Sequence, residues 1–92
     1  MNYEDIPLIV NVSYLHAHSL LVKFSNGEER ILDMTDSFEV PAALQYKPLS
    51  IFKKFDFDST SLSWNNKDYS IGHDSIYNMS IPKRSLNANK VS

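Results

Sequence analysis

The sequence predicts a small single α+β domain, built largely from antiparallel β-sheet with two short helices. Apolar and polar residues alternate with period two between residues 8 and 33 and again between residues 55 and 71, as is typical of half-buried strands. An N-terminal three-strand meander followed by a second hairpin accounts for these two regions. Helical spacing of apolar residues is confined to two short segments, one after Pro48 and one before Pro82.

The meander is predicted from three consecutive alternating runs. The first strand carries apolar side chains of a single parity, at Leu8, Val10, Val12 and Tyr14. A short polar connection separates it from a second strand over residues 20–24. A third strand follows over residues 29–33, so that the three strands pair in chain order.

The Asn26-Gly27 pair is the strongest hairpin signal in the chain. A type I′ turn requires positive φ at both central residues, and asparagine and glycine tolerate that conformation. A two-residue loop at this pair joins the second and third strands. The apolar face of the resulting hairpin is predicted to consist of four residues: Leu20, Val22, Phe24 and Ile31.

Two registers are open to this hairpin. The two-residue loop places Val22 opposite Ile31 on one apolar face, but it also sets two basic residues opposite each other. A three-residue loop with a bulge at Gly27 would instead pair Lys23 with Glu29. We favour the first register because it collects the apolar side chains on one face.

Four further elements follow the meander. Pro48 suits a first helical turn and is predicted to open a helix of about two turns. Alternation on either side of residues 59–61 predicts the second hairpin, and Asn65 and Asn66 form a turn before a short extended piece. A final helix begins near residues 72–75, where polar side chains are predicted to cap it.

Charge is distributed unevenly along the 92 residues. The formal net charge is −2, but Lys83, Arg84 and Lys90 supply three of the nine basic side chains. Residues 1–82 therefore carry six basic and eleven acidic side chains, a net charge of −5. A domain with a net negative charge is a poor electrostatic match for nucleic acid, which is also negatively charged. We divide the chain into a domain over residues 1–82 and a flexible basic tail over residues 83–92.

The composition also indicates where the protein resides. The chain has no cysteine, which excludes disulfides, thiolate metal sites and thiol nucleophiles and suits a reducing compartment. Its longest aliphatic run, residues 6–10, contains a proline and is too short to span a bilayer. The acidic N-terminus differs from the basic start of a signal peptide. We therefore expect a cytoplasmic protein that does not associate with membranes.

The candidate catalytic and metal-binding residues have simpler structural interpretations. A zinc site would need His16, His18 and His73 to converge, and no ligand spacing links His73 to the other two. Asp56 and Asp58 begin a pattern that lacks the glycine and glutamate of a calcium loop. We interpret these aspartates as the solvent face of a strand. The sequence thus predicts no enzymatic activity, no cofactor and no metal.

Nucleic-acid binding is the alternative function. Trp64 and the aromatic residues around it have the composition of a stacking platform for single strands. Lys53, Lys54 and Lys67 are the basic residues near them. Aromatic residues at strand spacing are more often core, and the acidic body opposes binding of polyanions. A nucleic-acid-binding regulator would therefore act through these three lysines and the basic tail.

A series of landmarks occurs along the chain in a recognisable order. They are Leu20, Val22, Phe24, Gly27, Arg30, Asp33, Leu44, Phe52, Trp64, Asp68 and Tyr77. This order resembles the small bacterial family catalogued as domain of unknown function 2442, over about residues 8 to 79. The chain departs from the family at Asn65-Asn66-Lys67, where proline and glycine are usual, and at Ile76, where leucine is usual.

The resemblance implies a small α+β fold with no established activity and no catalytic residues. Family members are often encoded beside another small protein, which suggests toxin–antitoxin-like pairs. We therefore expect a non-enzymatic protein-interaction module, antitoxin-like or accessory to a small co-encoded protein. Its contacts are expected at a sheet edge and through Lys83, Arg84 and Lys90 of the tail. A sheet edge would also allow two copies of the chain to pair.

Overall fold

Two antiparallel sheets and two short helices make up the structure, a computed structural model that describes residues 6–41 and 43–83. The strands are β1 (Ile9–His16), β2 (Ser19–Phe24), β3 (Glu29–Asp33), β4 (Asp56–Asp58), β5 (Ser61–Trp64), β6 (Tyr69–Gly72) and β7 (Ile81–Pro82). The helices are α1 (Leu49–Phe52) and α2 (His73–Met79), and a 3₁₀ turn spans Leu44–Tyr46. The first sheet has the order β1-β2-β3-β7 and the second has the order β4-β5-β6. The predicted α+β class is confirmed.

The β2–β3 hairpin pairs Lys23 with Glu29, so the favoured two-residue loop is wrong and the alternative register is the one observed. In this register Leu21 lies opposite Ile31. A shift of one residue moves every side chain of a strand to the other face of the sheet. Leu32 therefore joins the core, whereas Ile31 points away from it and is only half-buried.

A glycine bulge causes this shift. Gly27 has a φ of +91°, whereas Asn26 does not adopt positive φ, so the turn is not type I′. The Gly27 N–H donates to the Phe24 carbonyl at 2.9 Å, and the Phe24 N–H donates to the Glu28 carbonyl at 2.9 Å. The Asn26 side-chain oxygen accepts the Glu28 N–H at 3.0 Å. The loop therefore contains one residue more than the Asn-Gly signal predicts.

A second irregularity lies in β1, where the prediction of one parity along the whole strand is wrong. Ile9 and Val12 are buried, while Leu8 and Val10 are exposed. The register with β2 shifts between Ile9 and Asn11, which exchanges the two faces of the strand at that point. The N-terminal half of β1 therefore contributes Ile9 to the core in place of its neighbours.

The core lies between the inner face of the first sheet and the elements that follow β3. Its buried side chains are Ile9, Val12, Leu20, Val22, Phe24, Leu32, Met34, Phe38, Ala43, Tyr46, Phe52, Leu62, Trp64 and Ile76. The indole N–H of Trp64 donates to the Phe52 carbonyl at 2.8 Å, which attaches β5 to α1. The N–H of Ile9 donates to the Ser59 carbonyl at 2.8 Å and links the two sheets.

The remaining predicted elements differ from the structure mainly in length. The second hairpin is confirmed as β4 and β5, and the last extended piece is β6. The helix after Pro48 has one turn rather than two, and α2 begins after Gly72 without a side-chain cap. β7 and the 3₁₀ turn are not predicted. Among the described residues, no helix is long and apolar enough to cross a membrane.

Substitution of Gly27 tests the bulge. Gly27→Ala is expected to lower the free energy of unfolding by about 1–2 kcal/mol, because a residue with a Cβ is strained at positive φ. A Cβ built at this position meets no atom within 4 Å, so the expected loss is conformational rather than steric. Gly27→Asn should lose clearly less, because asparagine tolerates this conformation. Urea unfolding measures both variants, and equal losses for the two would contradict a requirement for positive φ.

Candidate functional site

A groove of about 650 Å³ opens beside α1. Three segments form it: the 3₁₀ turn, the stretch from α1 into β4, and the turn between β5 and β6. Its lining residues are Gln45, Tyr46, Ile51, Lys54, Phe55, Asp56, Trp64, Asn65 and Asn66. We call it the α1 groove. Its volume is that of clefts which bind small ligands or a few side chains of another protein.

The floor of the α1 groove is aromatic and fixed in place. Trp64 is 1% exposed and Tyr46 is 3% exposed. The Tyr46 ring stacks on Tyr69 with 5.9 Å between ring centroids, and its hydroxyl donates to the Asp68 carboxylate. This hydrogen bond raises the pKa of Tyr46 above its ordinary value, so the hydroxyl stays protonated at neutral pH. The two aromatic side chains are therefore held in place behind the groove, with very little of their surface exposed.

The rim of the α1 groove is polar. Gln45, Asn65 and Asn66 are exposed and carry carboxamides, which both donate and accept hydrogen bonds. Lys54 and Asp56 add one charge of each sign. Paired donors and acceptors around an apolar floor match the backbone and side chains of a bound peptide segment.

Four exposed apolar side chains lie on or next to the chain segments that form the α1 groove. Val40, Leu44, Leu49 and Ile51 lie within twelve residues of one another and are between 40 and 50% exposed. Ile51 also lines the groove itself. Clustered apolar side chains on a protein surface mark interaction sites, whereas isolated ones need no explanation.

The β5–β6 turn holds Asn65 and Asn66 at the rim through an uncommon backbone conformation. Asn65, Asn66 and Lys67 have φ values of 54°, 55° and 68°. The Asp68 N–H donates to the Asn65 carbonyl at 3.1 Å, which closes the turn predicted here. Positive φ at both Asn66 and Lys67 is the requirement of a type I′ turn. The successive positive φ values predicted at residues 26 and 27 thus occur at this turn instead, in a loop of four residues between Trp64 and Tyr69.

The three lysines of the nucleic-acid alternative make different contacts. The Lys67 ammonium forms an ion pair with Asp58 at 3.1 Å. The Lys53 ammonium lies over the Tyr14 ring, 4.9 Å from its centroid. Lys54 lies at the rim of the α1 groove. Two of these lysines therefore have partners within the domain: the Lys67 ammonium pairs with a carboxylate and the Lys53 ammonium lies on an aromatic ring.

The tail residues predicted to contact a partner are placed only in part. Lys83 lies directly after β7, and its ammonium is 3.4 Å from the Glu29 carboxylate. Arg84 and Lys90 lie outside the described residues. The structure therefore positions one of these three basic residues, at the edge of the first sheet.

A polar cluster attaches α2 to the meander, and we call it the Arg30 cluster. The Arg30 guanidinium donates to Glu28 at 2.8 Å and to the Ser80 hydroxyl at 2.8 Å. It also lies over the Tyr77 ring, 4.2 Å from its centroid. The Tyr77 hydroxyl donates to Glu28 at 2.7 Å. These groups satisfy one another, so the cluster acts as a structural attachment.

The three histidines lie on separate elements. The Nε2–H of His18 donates to the Lys47 carbonyl at 2.6 Å, and the Nδ1–H of His73 donates to the Pro7 carbonyl at 3.1 Å. His16 ends β1. In the part of the chain that the structure describes, no group of three or more His, Cys, Asp or Glu could hold a metal ion. His18 and His73 therefore each hold a segment that is distant in the chain.

Sequence reasoning missed the α1 groove. Its residues come from three segments separated in the chain, so no spacing rule connects them. The available signal was Leu44, an apolar residue after Pro41 that is exposed although its neighbours Ala43 and Tyr46 are buried. An apolar segment interrupted by prolines at positions 41 and 48 cannot bury one continuous helical face.

Comparison with known families gives one match. Residues 9–82 match the sequence profile of the family described as "Protein of unknown function (DUF2442)". The matched stretch contains all seven strands and both helices given above. No curated protein and no solved structure matches the chain. The resemblance predicted from the order of landmarks is confirmed.

The Arg30 cluster makes part of the stability depend on pH. Hydrogen bonds from Tyr77 and Arg30 lower the pKa of Glu28 below its ordinary value of 4.5. The resulting stabilisation is present above the unfolded-state pKa and is lost as the pH falls through the lower folded-state pKa. The free energy of unfolding of Glu28→Gln, measured by urea unfolding, should therefore fall less than that of the wild type between about pH 5 and 3. Glu39→Gln, in a surface pair with Lys47, is the control, and an equal flattening there would contradict the assignment.

Proposed function

The chain belongs to the DUF2442 family of proteins of unknown function, and we propose that it is a non-enzymatic protein-interaction module. It serves as the antitoxin-like or accessory partner of a small co-encoded bacterial protein. The observation that supports this proposal is the α1 groove, with its aromatic floor, its carboxamide rim and the exposed apolar side chains beside it. We place the protein in the cytoplasm, which suits a chain without cysteine.

The chemistry of the α1 groove favours a peptide segment over a polyanion. Lys54 and Asp56 give the rim no net charge, whereas binding to a phosphate backbone depends on several unpaired basic side chains. The carboxamides of Gln45, Asn65 and Asn66 supply donors and acceptors that a peptide backbone can use. The partner is therefore expected to insert an extended or turn segment rather than a flat surface.

The apolar side chains beside the groove supply much of the driving force. Burying the exposed portions of Val40, Leu44, Leu49 and Ile51 is worth roughly 3–5 kcal/mol in total. A micromolar complex requires about 8 kcal/mol of net binding free energy, after the entropic cost of association is met. Hydrogen bonds at the rim must therefore contribute alongside burial of apolar surface.

The experiment measures binding to the product of the neighbouring open reading frame. The two proteins are co-expressed, and their complex is measured by size-exclusion chromatography with light scattering and by calorimetric titration. Ile51→Asp is expected to weaken the complex about 10-fold or more, because it places a charge where an apolar group is desolvated on binding.

The matched control is Val10→Asp. Val10 is 54% exposed on β1 and does not line the α1 groove, so its variant should bind like the wild type. Absence of a complex, or equal weakening by the two variants, would contradict the proposal. A titration with single-stranded DNA tests the alternative function. Salt-dependent binding of DNA that is abolished in Lys54→Glu would favour nucleic-acid recognition.

A further inference from the structure

The outer face of the first sheet carries an apolar row. Leu21 of β2, Ile31 of β3 and Ile81 of β7 are direct cross-strand neighbours, and Ser13 of β1 completes the row. Ile81 is 49% exposed, and the other two are half-buried. The solvated face of an antiparallel sheet is normally polar. In the described part of the chain, the helices and the second sheet pack on the opposite, inner face.

Charged side chains border this row on both sides. Two residues further along β2 on the same face, Lys23 lies opposite Glu29 of β3. Lys83 extends the same border, with its ammonium 3.4 Å from the Glu29 carboxylate. On the other side of the row, Ser19 lies opposite the exposed Asp33. The outer face thus combines an apolar centre with a charge pattern that differs between its two ends.

We propose that a second copy of the chain covers this face, related by a two-fold axis that runs parallel to the strands between β2 and β3. Rotation about this axis lays β2 of one copy over β3 of the other. Leu21 then meets Ile31 of the partner subunit, and Lys23 meets Glu29 of the partner subunit. Each contact occurs twice, as an isologous interface requires.

The charges select this axis. An axis perpendicular to the strands would superimpose the two ends of the face and set Glu29 against Asp33 of the partner subunit, a repulsive arrangement. The axis parallel to the strands instead forms a ring of four side chains with alternating charge, two Lys23 and two Glu29. It also keeps the strands of the two sheets nearly aligned, which is the usual geometry of sheets packed face to face.

The size of the face sets the strength of the dimer. Three inter-strand spacings and five residues give a face of about 14 by 17 Å between strand axes. This is smaller than the roughly 800 Å² per partner of a standard stable interface. We therefore expect a monomer at about 1 μM and a growing dimer fraction at several hundred micromolar. The dimer uses strands of the first sheet, none of which lines the α1 groove, so it goes beyond the proposed function.

Charge-reversal variants test the ring. Lys23→Glu and Glu29→Lys each place like charges across the axis, so each variant alone should remain monomeric where the wild type dimerises. In an equimolar mixture both facing pairs across the axis become attractive, and the heterodimer should reach at least the wild-type dimer fraction. Sedimentation velocity at low ionic strength measures association, and circular dichroism confirms that each variant is folded.

A matched pair of variants separates the ring from general charge effects. Glu39 and Lys47 form an exposed ion pair of 2.7 Å away from this face. Glu39→Lys and Lys47→Glu carry the same net charges as the test variants, and each should dimerise like the wild type with no gain on mixing. A wild type that stays monomeric at about 1 mM would overturn the proposal. The proposal would also be overturned if mixing raised the dimer fraction equally for the test pair and the control pair. Binding of the co-encoded protein is measured in a separate experiment. Failure of the dimer proposal therefore does not affect the proposed function, and the reverse also holds.

Discussion

The bulge at Gly27 determines on which side of the first sheet each residue of β3 lies. Because it adds one residue to the loop, Leu32 faces inward beside Leu20, and Ile31 faces outward beside Leu21. The same shift turns Arg30 toward the inner side, where it reaches α2. A two-residue loop would have placed Arg30 in solvent and Ile31 in the core. The closed core, the Arg30 cluster and the apolar row of the outer face therefore share one local cause.

The residues that carry the family resemblance act mainly as scaffold in this chain. The Trp64 indole donates to the Phe52 carbonyl, and the Arg30 guanidinium lies over Tyr77. Such contacts hold elements together and leave little polar capacity for a ligand. The α1 groove also uses Asn65 and Asn66, which belong to the segment where the chain departs from the family pattern. Membership in the family therefore accounts for the fold, whereas the rim of the proposed binding groove is built on this turn.

The sequence was sufficient for the elements whose signals are local. Alternation located the meander and the second hairpin, and Pro48 located the start of α1. The register could not be obtained in this way, because two loops that differ by one residue at Gly27 both satisfy the alternation, and the choice depends on packing of β3 against the whole core. β7 has only two residues, one of them Pro82, and is a strand solely because β3 lies beside it. The α1 groove is formed by segments that are distant in the chain, and the periodicity of the sequence does not indicate that they are close in space.

The two proposed surfaces share no residues, and this arrangement has a consequence for affinity. The α1 groove is built on elements that cover the inner face of the first sheet, so pairing of two outer faces leaves both grooves open. A partner with two copies of the recognised segment could then occupy both grooves at once. The second contact would form at an effective concentration in the millimolar range for a short linkage. Weak self-association and a modest groove affinity would in that case reinforce each other, because each binding event raises the population of the state that the other requires.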